Sequence, residues 1–146
     1  MTDIGLRRGT VALEPHDPAW EAAAAQTVDR LKRILPNTAD IQHIGSTAVR
    51  NIRAKPIIDI AIGLSDLEEI LAWNDYIGLR DYLNCHEDDA QAYSALKESL
   101  AEQYPNDRET YTAMKSGLIR ELLAKAHTWR KDQFITDQKD TPGAVH

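Results

Sequence analysis

Apolar positions along this chain follow two different periods, and the switch between them divides it into halves. Thr10–Glu14 (TVALE) alternates weakly and predicts a short strand. Trp20, Ala24, Val28, Leu31 and Leu35 then recur at three- and four-residue steps, which is one face of a helix. Asp17-Pro18 predicts its start, because Asp can accept from free N–H groups and Pro at the first helical position loses no bond. Pro36-Asn37 predicts its end. Two β-rich apolar runs follow, Ile41–Ile44 and Ile57–Leu64, joined through Gly45-Ser46-Thr47 and Lys55-Pro56.

Beyond Leu64 the helical period takes over. Ser65-Asp66-Leu67-Glu68 has the spacing of a capping box. Tyr93, Leu96, Leu100 and Tyr104 mark a helix from about Asp88 to Gln103, and Pro105-Asn106-Asp107 breaks it and caps the next. Tyr111, Met114, Leu118, Leu122 and Ala126 predict a last helix ending near Trp129. The tail, residues 136–146, is polar, contains Pro142-Gly143 and reads as flexible. The order strand, helix, two strands, three helices predicts one α+β domain over residues 1–146. Residues 10–64 form its strand-bearing half and 65–130 its helical half.

Composition narrows the function classes. The 146 residues suffice for one sizeable core. The net charge of −6 disfavours general binding to nucleic acid or an anionic membrane, although a local basic site is compatible with it. The opening MTDIGLRRGT lacks the apolar core of a signal peptide, and no stretch approaches the ~20 apolar residues of a membrane span. The expectation is a cytoplasmic protein. Cys85 is the only cysteine, so no intrachain disulfide forms, and no Cys/His spacing suits zinc.

Three features carry candidate chemistry. Gly45 after a strand lets backbone N–H groups approach an anion, and Ser46 and Thr47 add hydroxyl donors. If Thr47–Asn51 is helical, its N-terminus also favours phosphate. This is not a Walker loop, since no Gly-Lys-Ser/Thr follows. Asp59 stands in IIDIAI, where a buried unpaired carboxylate costs several kcal/mol. A cation, a hydrogen-bond donor or an opening to solvent would each account for it, and Lys55 is a plain ion-pair candidate. His43 could pair with Ser46, yet the Gly-x-Ser-x-Gly elbow and an orienting group are absent. Finally, YSALK (Tyr93–Lys97) and YTAMK (Tyr111–Lys115) each set Tyr and Lys four apart on one helical face. A core-edge Tyr beside a snorkelling Lys is one reading; Lys97 and Lys115 pointing into a phosphate site is the other.

HIGSTAVRNIRAKPIIDI closely resembles the signature of the GrpB family. VALEPHDPAW is similar to that family's first strand and helix start, and LRDYL, AYSALK and YTAMK to its helical half. The resemblance covers most of residues 10–130, in family order. It implies a nucleotidyltransferase-like fold, with a small mixed sheet packed by helices. It further implies a nucleoside triphosphate as ligand or substrate, held by Gly45, Ser46 and Thr47, with Lys55, Arg80 and Lys115 as further phosphate partners. Asp59 becomes the catalytic Mg²⁺ ligand, and the reaction a nucleotidyl transfer to an unknown acceptor.

Two departures qualify the resemblance. The superfamily pattern has two carboxylates one residue apart, whereas Ile57 and Ala61 flank Asp59 at that spacing. Several dozen residues of the family, including further strands, are also missing between Asp66–Ile70 and Leu71–Tyr82. The sheet would then keep about three strands and an open edge, which invites a homodimer. The alternative is an inactive nucleotide-binding or accessory module, which fits the fusion of some family members to dephospho-coenzyme A kinase.

Overall fold

A computed structural model describes residues 4–35, 40–63 and 67–139, with backbone alone at 67–71 and 137–139. Helix α1 spans Pro18–Lys32, and Asp17 caps it by accepting from the Ala19 N–H at 2.8 Å. Of its predicted stripe, Trp20 and Ala24 are fully buried, while Val28, Leu31 and Leu35 are half-buried. Pro36-Asn37, Leu64 and the first two residues of the capping box lie outside the described residues.

Strands β1 (Asp40–Ile44) and β2 (Asp59–Gly63) pair antiparallel, with Ile44 opposite Asp59 and Asp40 opposite Gly63. This is the whole sheet among the described residues, an antiparallel pair in place of the mixed sheet expected within the α+β class. The TVALE strand reduces to one bridge, Glu14 to Ala54, with N–H···O distances of 2.8 and 2.9 Å. Its partner is the connector between β1 and β2, not the sheet. Val11 is held by Pro105 instead, through an N–H···O bond of 2.8 Å.

Three helices complete the fold: α2 (Leu67–Cys85), α3 (Glu87–Gln103) and α4 (Arg108–Lys139). Asp107 accepts from the Thr110 N–H at 3.0 Å at the start of α4, as the Pro105-Asn106-Asp107 pattern predicts. The helix continues well past Trp129, to Lys139, since residues 130–139 contain neither Gly nor Pro to end it. The predicted flexible tail therefore begins inside a helix, and residues 140–146 lie outside the described residues. No helix among the described residues is long and apolar enough to cross a membrane.

The connector between the strands is part of the core. Val49 and Ile52 are buried with Tyr82 and Leu83 of α2, Tyr93 of α3, and Leu122 and Ala126 of α4. A second cluster joins Val11, Leu100 and Tyr111. The phosphate-turn candidate is thereby fastened to all three late helices. Leu122→Ala should cost about 3 kcal/mol in urea unfolding, since it opens a cavity in this junction. Phe134→Ala, on the exposed end of α4, should cost less than about 0.5 kcal/mol.

Candidate functional site

A cleft of about 270 Å³ opens between the β1–β2 turn and helices α2, α3 and α4. Gly45 and Ser46 stand on one wall, with Asp59 and Lys55 beside them. Lys97 enters from α3, Arg108 and Lys115 from α4, and Arg80 from α2. Five cations and one carboxylate thus line a cleft in a chain whose net charge is −6. Such a local reversal of sign attracts an anion strongly, because low-dielectric walls focus the field.

The Tyr/Lys echo of the sequence becomes a structural one here. Lys97 Nζ lies 4.8 Å from the centre of the Tyr93 ring, and Lys115 Nζ 4.9 Å from that of Tyr111. Lys55 Nζ lies 5.2 Å from the same Tyr111 ring. Ring faces partly stabilise ammonium groups that have left water. Lys97 is 1% exposed, and its Nζ and the Tyr111 hydroxyl are buried without a hydrogen-bond partner. An unpartnered buried donor costs free energy, so both groups call for an acceptor that the chain does not supply.

The electrostatics follow from this crowding. Burial, with Lys115 and Lys55 nearby, pulls the Lys97 ammonium down to about 7. Burial, with Lys55 and Arg108, pulls Lys115 down to about 8. Unfolded lysines keep their protons to about 10.5, so above pH 7 the unfolded chain binds more protons than the folded one. Stability of the empty protein therefore rises with pH in that range, and a bound anion opposes the trend by restoring the charge. Lys55 is lowered, chiefly by burial and then by Arg108.

Gly45 and Asp59 explain each other. Gly45 has φ +75°, and a methyl there would lie 2.5 Å from Asp59 Oδ2. Only glycine accommodates both the backbone and the carboxylate. Asp59 is exposed as a residue, because β2 is only half covered: its burial runs exposed or intermediate from Asp59 to Gly63, and it is not the buried strand its apolar neighbours suggest. Partial loss of hydration raises its carboxyl above the ordinary value, against Lys55, Lys115 and Arg108, which lower it. No cation stands within ion-pair distance of Asp59 among the described residues, so the pairing with Lys55 does not form.

The structure brings Gly45, Ser46, Lys55, Asp59, Arg80 and Lys115 to one cleft. Arg80 is partly committed elsewhere, donating to Gln42 Oε1 (2.8 Å), the His43 carbonyl (3.0 Å) and Asp81 (2.9 Å). Thr47 does not reach the cleft. Residues 46–48 form a single 3-10 turn in place of a longer helix, which turns Thr47 inward to 1% exposure. Its hydroxyl donates to the Ile57 carbonyl at 3.1 Å and meets His43 Nε2 at 2.9 Å. That proton count makes Nε2 the protonated nitrogen, and burial keeps the imidazole neutral by lowering its pKa. His43 therefore braces the turn through Thr47 and does not activate Ser46.

Arg108, Tyr93, Tyr111 and Tyr76 also line the cleft. The YSALK and YTAMK echo was a signal for the two tyrosines; Arg108 and Tyr76 left none in the local pattern. Among the described residues no three His, Cys, Asp or Glu side chains gather to hold a metal. Asp59 alone, facing several cations, does not fit a resident Mg²⁺.

A sequence profile described as GrpB protein matches residues 10–76 and 70–125. The chain belongs to the GrpB family. It is 29% identical to the glutamate-rich protein GrpB of Alkalihalophilus pseudofirmus, over 82% of this chain and 98% of that one. It is 31% identical to a UPF0157 protein of Pseudomonas aeruginosa, over 77% of this chain and 66% of the relative. A crystal structure of the conserved protein GrpB from Enterococcus faecalis has the same fold, with a TM-score of 0.69 and 22% identity over 79% and 96% of the chains. The first alignment runs over 170 positions while covering 82% of 146 residues, so several dozen positions of that relative face no residue here. The profile match is likewise split, with its two parts meeting at 70–76.

The contact between Gly45 and Asp59 is testable by a double-mutant cycle. Gly45→Ala should destabilise by about 2 kcal/mol or more, through the positive φ and the clash. In an Asp59→Ala background the same change should cost measurably less, because the nearest obstacle is gone. Additive losses in urea unfolding would mean that the two residues do not touch.

Proposed function

We propose that the cleft binds the polyphosphate of a nucleoside triphosphate, and that this chain acts as a nucleotide-binding module. The observation that carries the reading is Lys97: a fully buried ammonium with no partner, flanked by Lys55 and Lys115. A polyanion supplies what all three lack, and the Gly45-Ser46 turn beside Lys55 offers backbone donors to the same cleft. The family resemblance supplies the nucleotide; the charges alone ask only for a polyanion. A protein described as dephospho-CoA kinase, from Mycolicibacterium paratuberculosis, is 39% identical over 42% of this chain and 16% of its own length. A GrpB-like segment within a larger enzyme favours an accessory role.

Asp59 supports a second reading, in which the bound nucleotide also donates its nucleotidyl group to an acceptor. The carboxylate stands beside the Gly-Ser turn, where an attacking hydroxyl would need a base. In that reading any Mg²⁺ arrives with the nucleotide, because the chain's own donors do not gather one.

Titration calorimetry with ATP, GTP, CTP and UTP, with and without Mg²⁺, separates the readings. Lys97→Met should weaken nucleotide binding by roughly ten- to a hundredfold, the range for a charge-assisted hydrogen bond. The same change should leave the empty protein as stable or more stable, since it removes an unpartnered buried charge. With water as the acceptor in that mixture, release of pyrophosphate and nucleoside monophosphate that Asp59→Ala abolishes would establish the α-phosphate cleavage that transfer requires. Binding without release leaves the accessory module, and no binding by any nucleotide overturns both.

A further inference from the structure

A second cavity, of about 560 Å³, runs along β2 towards α2. Its apolar walls are Ile44, Ile60, Ile62, Ala72, Trp73 and Tyr76. Four consecutive residues of β2, Asp59 to Ile62, line it. Successive strand side chains point to opposite faces, so a wall of four in a row is the edge of the strand. That edge is unpaired among the described residues, which leaves backbone N–H and C=O groups facing the groove. Trp73 lies close against β2 opposite Gly63, where a methyl would stand 3.3 Å from the indole ring. Tyr76 is 55% exposed and Ile62 is 38% exposed, so both offer apolar surface to an occupant.

This groove and the cationic cleft share Gly45, Asp59 and Tyr76. One cavity is rich in ammonium groups and the other in aromatic and aliphatic surface, and they meet at the Gly-Ser turn. We propose that the groove between β2 and α2 is the nucleobase site, with the base against Tyr76 and Trp73 and its polar edge on the open backbone of β2. The proposal rests on the polyphosphate reading of the cleft and adds where the rest of the ligand lies. Its volume falls within the ~300–1,000 Å³ usual for small-molecule sites. Aromatic stacking tolerates any base, whereas backbone groups on a strand edge distinguish donors from acceptors, so base preference resides in β2.

The test compares ATP with inorganic triphosphate by calorimetry on the full chain, for wild type, Trp73→Ala and Trp73→Phe. Trp73 lines the groove and is not among the residues of the cationic cleft. Trp73→Ala should weaken ATP about tenfold and leave triphosphate unchanged, and Trp73→Phe should restore most of the ATP affinity. Triphosphate binding together with an ATP affinity that Trp73→Ala does not alter overturns the base site and leaves the polyphosphate reading standing. Equal losses for both ligands also overturn it, because Trp73 would then act through the phosphate site and not on the base. Binding of neither ligand overturns both proposals. A mass in sedimentation that falls on Trp73→Ala would show the groove covered by a second copy of this chain, which likewise overturns the base site.

Discussion

The ammonium group of Lys97, held out of water without a hydrogen-bond partner, is the constraint around which the cleft is organised. Burying such a charge is unfavourable, and the chain does not relieve it with a carboxylate on the cleft floor. It sets the group over the Tyr93 ring face, and two more lysines nearby make the charge harder still to keep. An arrangement that costs stability in the empty state is characteristic of a site completed by its ligand. Everything that positions Lys97 matters accordingly. Tyr93 and Ser94 of α3, the Val49–Ile52 connector and Leu122 of α4 pack into the junction beneath it.

The second constraint is the Gly45–Asp59 contact. The carboxylate fills the space a side chain at Gly45 would occupy, so the turn after β1 and the first residue of β2, where the ladder ends, restrict each other. Thr47 and His43 lock the same turn from behind. The turn is rigid on its protein side and open on its cleft side, which is what preorganised anion recognition requires. The single carboxylate then separates two roles. Attraction of a polyanion needs the lysines alone, while Asp59 is the one carboxylate on the cleft wall that could serve chemistry on it.

Much of this was legible in the residues, for identifiable reasons. Asp17-Pro18 and Asp107 act through their immediate neighbours, so the cap chemistry could be read directly. The Ile41–Ile44 and Ile57–Leu64 runs located both strands, and Gly45, Ser46, Lys55, Asp59, Arg80 and Lys115 do meet. Other features depend on contacts distant in sequence. TVALE alternates like a strand, but alternation does not say whether its partner is a sheet or a connector. Thr47 looks like a second hydroxyl of the phosphate turn, and only the short 3-10 turn reveals that it faces inward. Asp59 looked anomalous because its apolar neighbours suggest a buried strand, and the partial exposure of all five β2 residues removes the anomaly. For Lys97, a snorkelling lysine and a buried one have the same local sequence, and the packing of α3 against α4 decides between them.

The most direct measurement is the pKa of Lys97 by NMR on protein carrying ¹³C-labelled lysine side chains, assigned with Lys97→Met. The account predicts titration near 7 in the empty protein and a rise towards the ordinary lysine value when inorganic triphosphate is added. A Lys97 that titrates near 10.5 and does not respond to triphosphate would contradict it.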